Sequence, residues 1–178
     1  MYKRQVYTGG VGGGALGPVI PGLLDFHASF LTGKGVSRYE VSQLPDVTFR
    51  SDGKIEAIAS TSFMAGLVLH PTKMLDVYSY AGETKEERTS YAGGYGYGYN
   101  NTTSLAGCYT EGGSCSAATK FIEQVNVGFW QRLYSGPFGR AQVGAEYAYT
   151  ERHAFAGANG APIANESLFD VSFRYYPF

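Results

Sequence analysis

Charge is scarce in this chain. Asp, Glu, Lys and Arg make up 16% of the 178 residues, well under the ~25% of an ordinary soluble domain. No Lys/Arg cluster is present and the net charge is −1, so no basic stripe exists to follow a phosphate backbone and nucleic acid is excluded as a partner. Long apolar runs are missing too. The best, residues 63–69, falls far short of the ~18 residues that would make a transmembrane helix. No helical amphipathic pattern of useful length appears, and the glycines and β-branched residues would weaken one. Any membrane crossing must therefore be made by strands. Cysteine is limited to Cys108 and Cys115, without the further Cys or His that a zinc site would need. No metal or cofactor is expected.

Glycine and tyrosine are what the chain has in excess. Its 25 glycines are roughly twice the usual share. Aromatics reach 15%, with fifteen tyrosines to one tryptophan. Tyrosine suits polar lumens and membrane interfaces, because its ring tolerates lipid headgroups while its hydroxyl reaches water; a compact soluble core would favour Leu and Ile. Residues 166–178 place Phe169, Val171, Phe173 and Tyr175 on one face and Asp170, Ser172 and Arg174 on the other, ending on Phe178. Period-two alternation of oil and water is what a wall between lipid and an aqueous lumen requires. A terminal strand closing on an aromatic is the way many bacterial outer-membrane barrels end.

Alternation and turn signals predict six long strands, over residues 22–31, 56–70, 75–91, 120–134, 140–155 and 166–178. The facing of the third is ambiguous, since Leu75 and Val77 suit lipid while Tyr78 and Tyr80 could form a girdle. Short turns are expected at Pro71 and Pro137, and long loops over residues 32–53, 92–119 and 156–165. That asymmetry fits a barrel with one end in the periplasm and the other outside. The fold expected is all-β: an antiparallel meander forming the C-terminal portion of a transmembrane β-barrel, because six strands fall below the minimum of about eight for closure. Residues 1–5 resemble a translated transposon end from sequencing libraries and are read as an artefact. Residues 6–21 are read as a glycine-rich connector, and 22–178 as the barrel segment.

The runs Gly94-Tyr95-Gly96-Tyr97-Gly98-Tyr99-Asn100-Asn101, Gly107-Cys108-Tyr109-Thr110-Glu111, Gly128-Phe129-Trp130-Gln131-Arg132 and Phe173-Arg174-Tyr175-Tyr176-Pro177-Phe178, with Leu44-Pro45-Asp46-Val47 and His70-Pro71, resemble a group of porin-like bacterial outer-membrane proteins. The resemblance covers roughly residues 21–178. It implies an outer-membrane location, lipid and the barrel-assembly machinery as partners, and an assembly signal at Phe173, Tyr176 and Phe178. It supplies no substrate. The usual terminal signal continues alternate apolar residues back from the last phenylalanine, whereas Arg174 and Ser172 interrupt that phase here, with Pro177 able to shift the register.

Charged residues on the proposed lumen face, Asp25, Glu56, Asp76, Arg132, Arg140, Glu146, Arg152, Asp170 and Arg174, are the expected pore lining. Their signs nearly balance, which predicts weak ion preference in a passive channel for small hydrophilic solutes. Cys108 and Cys115 lie close enough in sequence for a disulfide in an oxidising compartment. His27, His70 and His153 fall on three strands, and Asp25, His27 and Ser29 share one strand face as lumen residues do, so no catalytic centre is expected. A surface-adhesion barrel, an outer-membrane hydrolase and a soluble β-sandwich are the competing readings.

Overall fold

Seven strands follow one another across a single antiparallel sheet: β1 (Gly9–Ile20), β2 (Leu24–Lys34), β5 (Ala59–Thr72), β6 (Leu75–Glu86), β9 (Thr119–Gly136), β10 (Gly139–Ala154) and β11 (Ile163–Tyr176). Two small hairpins interrupt the meander. β3 (Val47–Phe49) pairs with β4 (Ile55–Ala57) between β2 and β5, and β7 (Thr89–Tyr91) pairs with β8 (Tyr95–Tyr97) between β6 and β9. The computed structural model describes residues 5–91, 93–98, 108 and 116–177. Within them it is all-β apart from 3-10 turns at Ser37–Tyr39 and at Cys108, and no helix is long and apolar enough to cross a membrane.

The all-β meander is thus the observed architecture, and two expectations about it change. The sheet has seven strands rather than six, because Gly9–Ile20, expected as a connector, is β1 in register with β2 from Gly9↔Lys34 to Ile20↔Leu24. Residues 75–91 do not form one strand: β6 ends at Glu86 and Thr89–Tyr91 belongs to the β7–β8 hairpin. Glycine hides β1 from a pattern search, having no side chain with which to declare a face.

All tight turns lie at one end of the sheet. Residues 21–23, 73–74 and 137–138 connect β1 to β2, β5 to β6 and β9 to β10. Each carries turn chemistry. Leu23 N–H donates to the Ile20 carbonyl at 3.0 Å; Gly139 leaves the Pro137-Phe138 turn at φ +105, and a Cβ there would meet the Tyr176 carbonyl oxygen at 2.1 Å. His70-Pro71 does not end its strand. β5 continues to Thr72 through a register shift between Leu69 and Thr72, since proline is tolerated at such a bulge. The long connections all lie at the opposite end.

The two faces of the sheet differ in kind. Paired residues in an antiparallel ladder point the same way, so register lines such as Phe26↔Leu67↔Ser79↔Val127↔Tyr147↔Phe169 and Leu24↔Leu69↔Val77↔Phe129↔Ala145↔Val171 define one apolar face. These side chains are the ones left uncovered: Phe63 is 51% exposed, Val127 50% and Val171 73%. Among the described residues the buried apolar ones other than Ala148 on β10, such as Val36, Ile58, Ala117, Ala154 and Phe155, cluster instead where the loops meet the sheet.

Candidate functional site

The polar face gathers most of the ionisable groups singled out from the sequence. Its packing begins with three cross-strand pairs of an aromatic and a glycine: Tyr80 opposite Gly66, Tyr78 opposite Gly128, and Trp130 opposite Gly144. In each the ring lies over the glycine, so an added Cβ would sit 2.0 Å from the Tyr80 ring, 2.5 Å from the Tyr78 hydroxyl or 2.7 Å from the Trp130 ring. Glycine supplies the floor that lets a large ring lie along the sheet. The ambiguity in β6 is thereby resolved: Leu75 and Val77 take the apolar face, and Tyr78 and Tyr80 the polar one.

Lying flat, these rings carry their hydroxyls across two ladders. Tyr78 donates to Glu146 Oε2 at 2.9 Å, and the Tyr80 hydroxyl meets His27 Nδ1 at 3.1 Å. Arg174 stacks its guanidinium 4.0 Å above the Trp130 ring, where cation–π attraction adds to packing. Tyr78, Trp130, Glu146, Asp170, Ser172 and Arg174 line one hollow of about 340 Å³.

Toward the tight-turn end a second cluster forms. The two ring nitrogens of His70 face Asp76 at 2.7 Å and Asp25 at 3.2 Å. Arg132 bonds Asp76 Oδ2 at 2.5 Å and the Lys73 carbonyl at 2.5 Å, tying β2, β5, β6 and β9 together. Arg140 stacks on Tyr176 at 4.8 Å. At the loop end Arg152 donates to Thr119 Oγ1 at 2.7 Å and the Ala117 carbonyl at 3.0 Å.

Eight of the nine expected lining residues therefore lie on this face. Glu56 is the exception: it sits on β4, in the small hairpin outside the sheet, 3.7 Å from Arg50. The apparent alternation that placed it on a wall strand runs across the break at Ile58, which is fully buried beneath the loops. His70 was missed as a partner of the lining charges; its phase with Asp25 and Asp76 could have found it. The histidines do not converge. His27 faces Tyr80, and His153 stacks on Phe121 at 4.2 Å on the apolar side. Asp25 turns to His70 and His27 to Tyr80, so the Asp25–His27–Ser29 set is pulled toward separate partners.

Phe173 and Tyr176 point to opposite faces, Phe173 in phase with Tyr175 on the apolar one. Phe178 falls outside the described residues, as do residues 1–4. Cys108 packs against Ala117 and Ala154, while Cys115, its expected partner, falls outside the described residues.

Above the apolar rows, toward the long loops, that face turns acidic. Glu83, Glu123 and Glu151 stand side by side in register, with Tyr149 donating to Glu151 at 2.6 Å. Past them, in the β7–β8 hairpin, Tyr97 donates to the Thr119 carbonyl at 2.7 Å. Burial pushes its hydroxyl up to about 12. Comparison with protein families, with curated proteins and with solved structures finds no match for the chain.

Proposed function

We propose that the sheet is part of the wall of a porin-like bacterial outer-membrane β-barrel, its apolar face against lipid and its polar face lining a passive path for small hydrophilic solutes. The observation that carries the reading is the inverted burial. Large apolar side chains occupy the uncovered face from Leu24 to Phe173, whereas hydrogen bonds, ion pairs and stacked rings are gathered on the other. The apolar rows support it in extent. On β10 they run over residues 141–149, short of Glu151, close to the ~9–11 residues a tilted strand needs to cross hydrocarbon. The acidic row then meets water on the long-loop side, which is assigned to the cell exterior.

β1 and β11 run in the same direction, six antiparallel steps apart. A wall closed by antiparallel ladders throughout requires an odd number of further strands between them, because an open edge is not viable in lipid. The Cys108–Cys115 disulfide belongs to the same reading, as a brace in an external loop.

Liposome swelling and planar-bilayer recording with the full-length protein test the proposal. Solute-size-dependent swelling and steady conductance without energy input are expected. A correctly folded protein that gives neither overturns the channel. One observation favours a second reading, a filled barrel that works through its external loops: Val41 and Ser42 hang over the polar face near Tyr80 and Asn126.

A further inference from the structure

The connection from β2 to β3 is fastened to the loop end of the sheet by two buried carboxyl groups. Ser37, fully buried, donates to Glu86 Oε1 at 2.5 Å, and Ser60 donates to Glu40 Oε1 at 3.0 Å. Glu86 is 0% exposed and Glu40 5%. The second oxygen of each, Glu40 Oε2 and Glu86 Oε2, is sealed from solvent and makes no hydrogen bond, as is Ser42 Oγ. A carboxylate so placed, with one donor and one orphaned oxygen, is far more costly than a neutral carboxyl.

The charged surroundings do not relieve that cost. Asp46 lies near both glutamates, and its own carboxylate is engaged by Arg38, whose side chain is largely in solvent. In the β7–β8 hairpin Tyr97 lies within electrostatic range of Glu86 but donates to Thr119, and from β10 Arg152 is directed to Thr119 and Ala117. Two neighbouring carboxyls beside a third cannot all ionise cheaply. Burial pushes Glu40 above the ordinary glutamate range and the Asp46 charge adds to this, outweighing the opposing hydrogen bond from Ser60.

We propose that residues 36–46 form a proton-locked strap, held over the loop end of the polar face while Glu40 and Glu86 are neutral and let go when they ionise. The strap covers an open cavity of about 400 Å³, with Val41 and Ser42 on its rim above Ser62, Tyr80, Gln124 and Asn126. The closed form binds protons more tightly than the open one. Raising the pH above the ordinary glutamate range therefore shifts the equilibrium toward the open form. The strap rests on the fold alone. Only its consequence, greater access to the polar face at higher pH, rests on the channel reading.

Hydrogen exchange on the protein folded in detergent micelles, from about pH 4 to about pH 9, tests it. The reporters are the amides of Gly35, Tyr39, Glu40 and Gln43, which bond Ile58, Val36, Ser37 and Glu40. After correction for the intrinsic pH dependence of exchange, their protection should fall by up to about tenfold per pH unit for each titrating carboxyl between the ordinary glutamate range and the raised range of the closed form, and level off on either side. The amides of Val127 and Tyr147 should stay protected throughout. Glu40→Gln with Glu86→Gln should abolish the slope and keep the strap closed; if that pair does not fold, Glu40→Gln alone should halve the logarithmic slope. A flat profile in the unaltered protein or an unchanged slope in the glutamine variants would overturn the strap. Absence of solute flux with the strap still titrating would count against the channel alone.

Discussion

Tyr80 lies on Gly66, Tyr78 on Gly128 and Trp130 on Gly144, and a methyl group at any of these glycines would occupy ring space. The first prediction belongs here. Gly66→Val should cost about 1 to 3 kcal/mol through overpacking, as read by urea unfolding in micelles. Gly17→Ala should be nearly neutral, because its Cβ would meet only the Phe26 ring edge at 3.5 Å. Equal costs would show that the rings move aside freely. A second prediction concerns Cys108 and Cys115: the unreduced, denatured protein should show no titratable thiol, and reduction should release two. Free thiols before reduction would remove the brace.

At the scale of the element, strand direction and facing decide what each substitution meets. Val127 lies mid-belt on β9, in line with Leu67 and Tyr147 on the apolar face. Gln124, exposed on the opposite face of the same strand, is its control. Val127→Arg should cost about 2 to 4 kcal/mol in folding into lipid vesicles if it meets the hydrocarbon midplane, against little for Gln124→Arg. Similar costs would reject the assignment of faces. The turns also sort by end. Single cysteines introduced after Leu31 or into residues 156–162 should label on intact cells, and one at Phe138 should not.

For the whole molecule the question is whether the polar face conducts and with what preference. Its lining charges balance in sign, with Asp25, Asp76, Glu146 and Asp170 against Arg132, Arg140, Arg152 and Arg174, and Arg132 is paired with Asp76, so the net field along a path beside them is weak. Replacing Arg132 and Arg140 together by Glu should shift selectivity toward cations, because field lines in a narrow aqueous pore concentrate on wall charges. Reversal potentials across a salt gradient measure this. An unchanged potential in a conducting variant would place both residues away from the path.

Alternation of side chains was enough to establish an all-β antiparallel meander, the two faces of β9, β10 and β11, and the turn at Pro137, because period-two patterning is a local property written residue by residue. It was also enough to put eight of nine charged residues on one face. It could not reveal β1, where glycine erases the alternation, nor separate β4 from β5, where a strand interruption at buried Ile58 preserves the phase while leaving the sheet. Only the tertiary structure brought His70 between Asp25 and Asp76, laid Tyr78 and Tyr80 along glycines two strands from their partners, and buried Glu40 and Glu86 under one loop. Those contacts join residues far apart in the chain through register and loop docking, and no local pattern encodes the distance between two strands that have yet to pair.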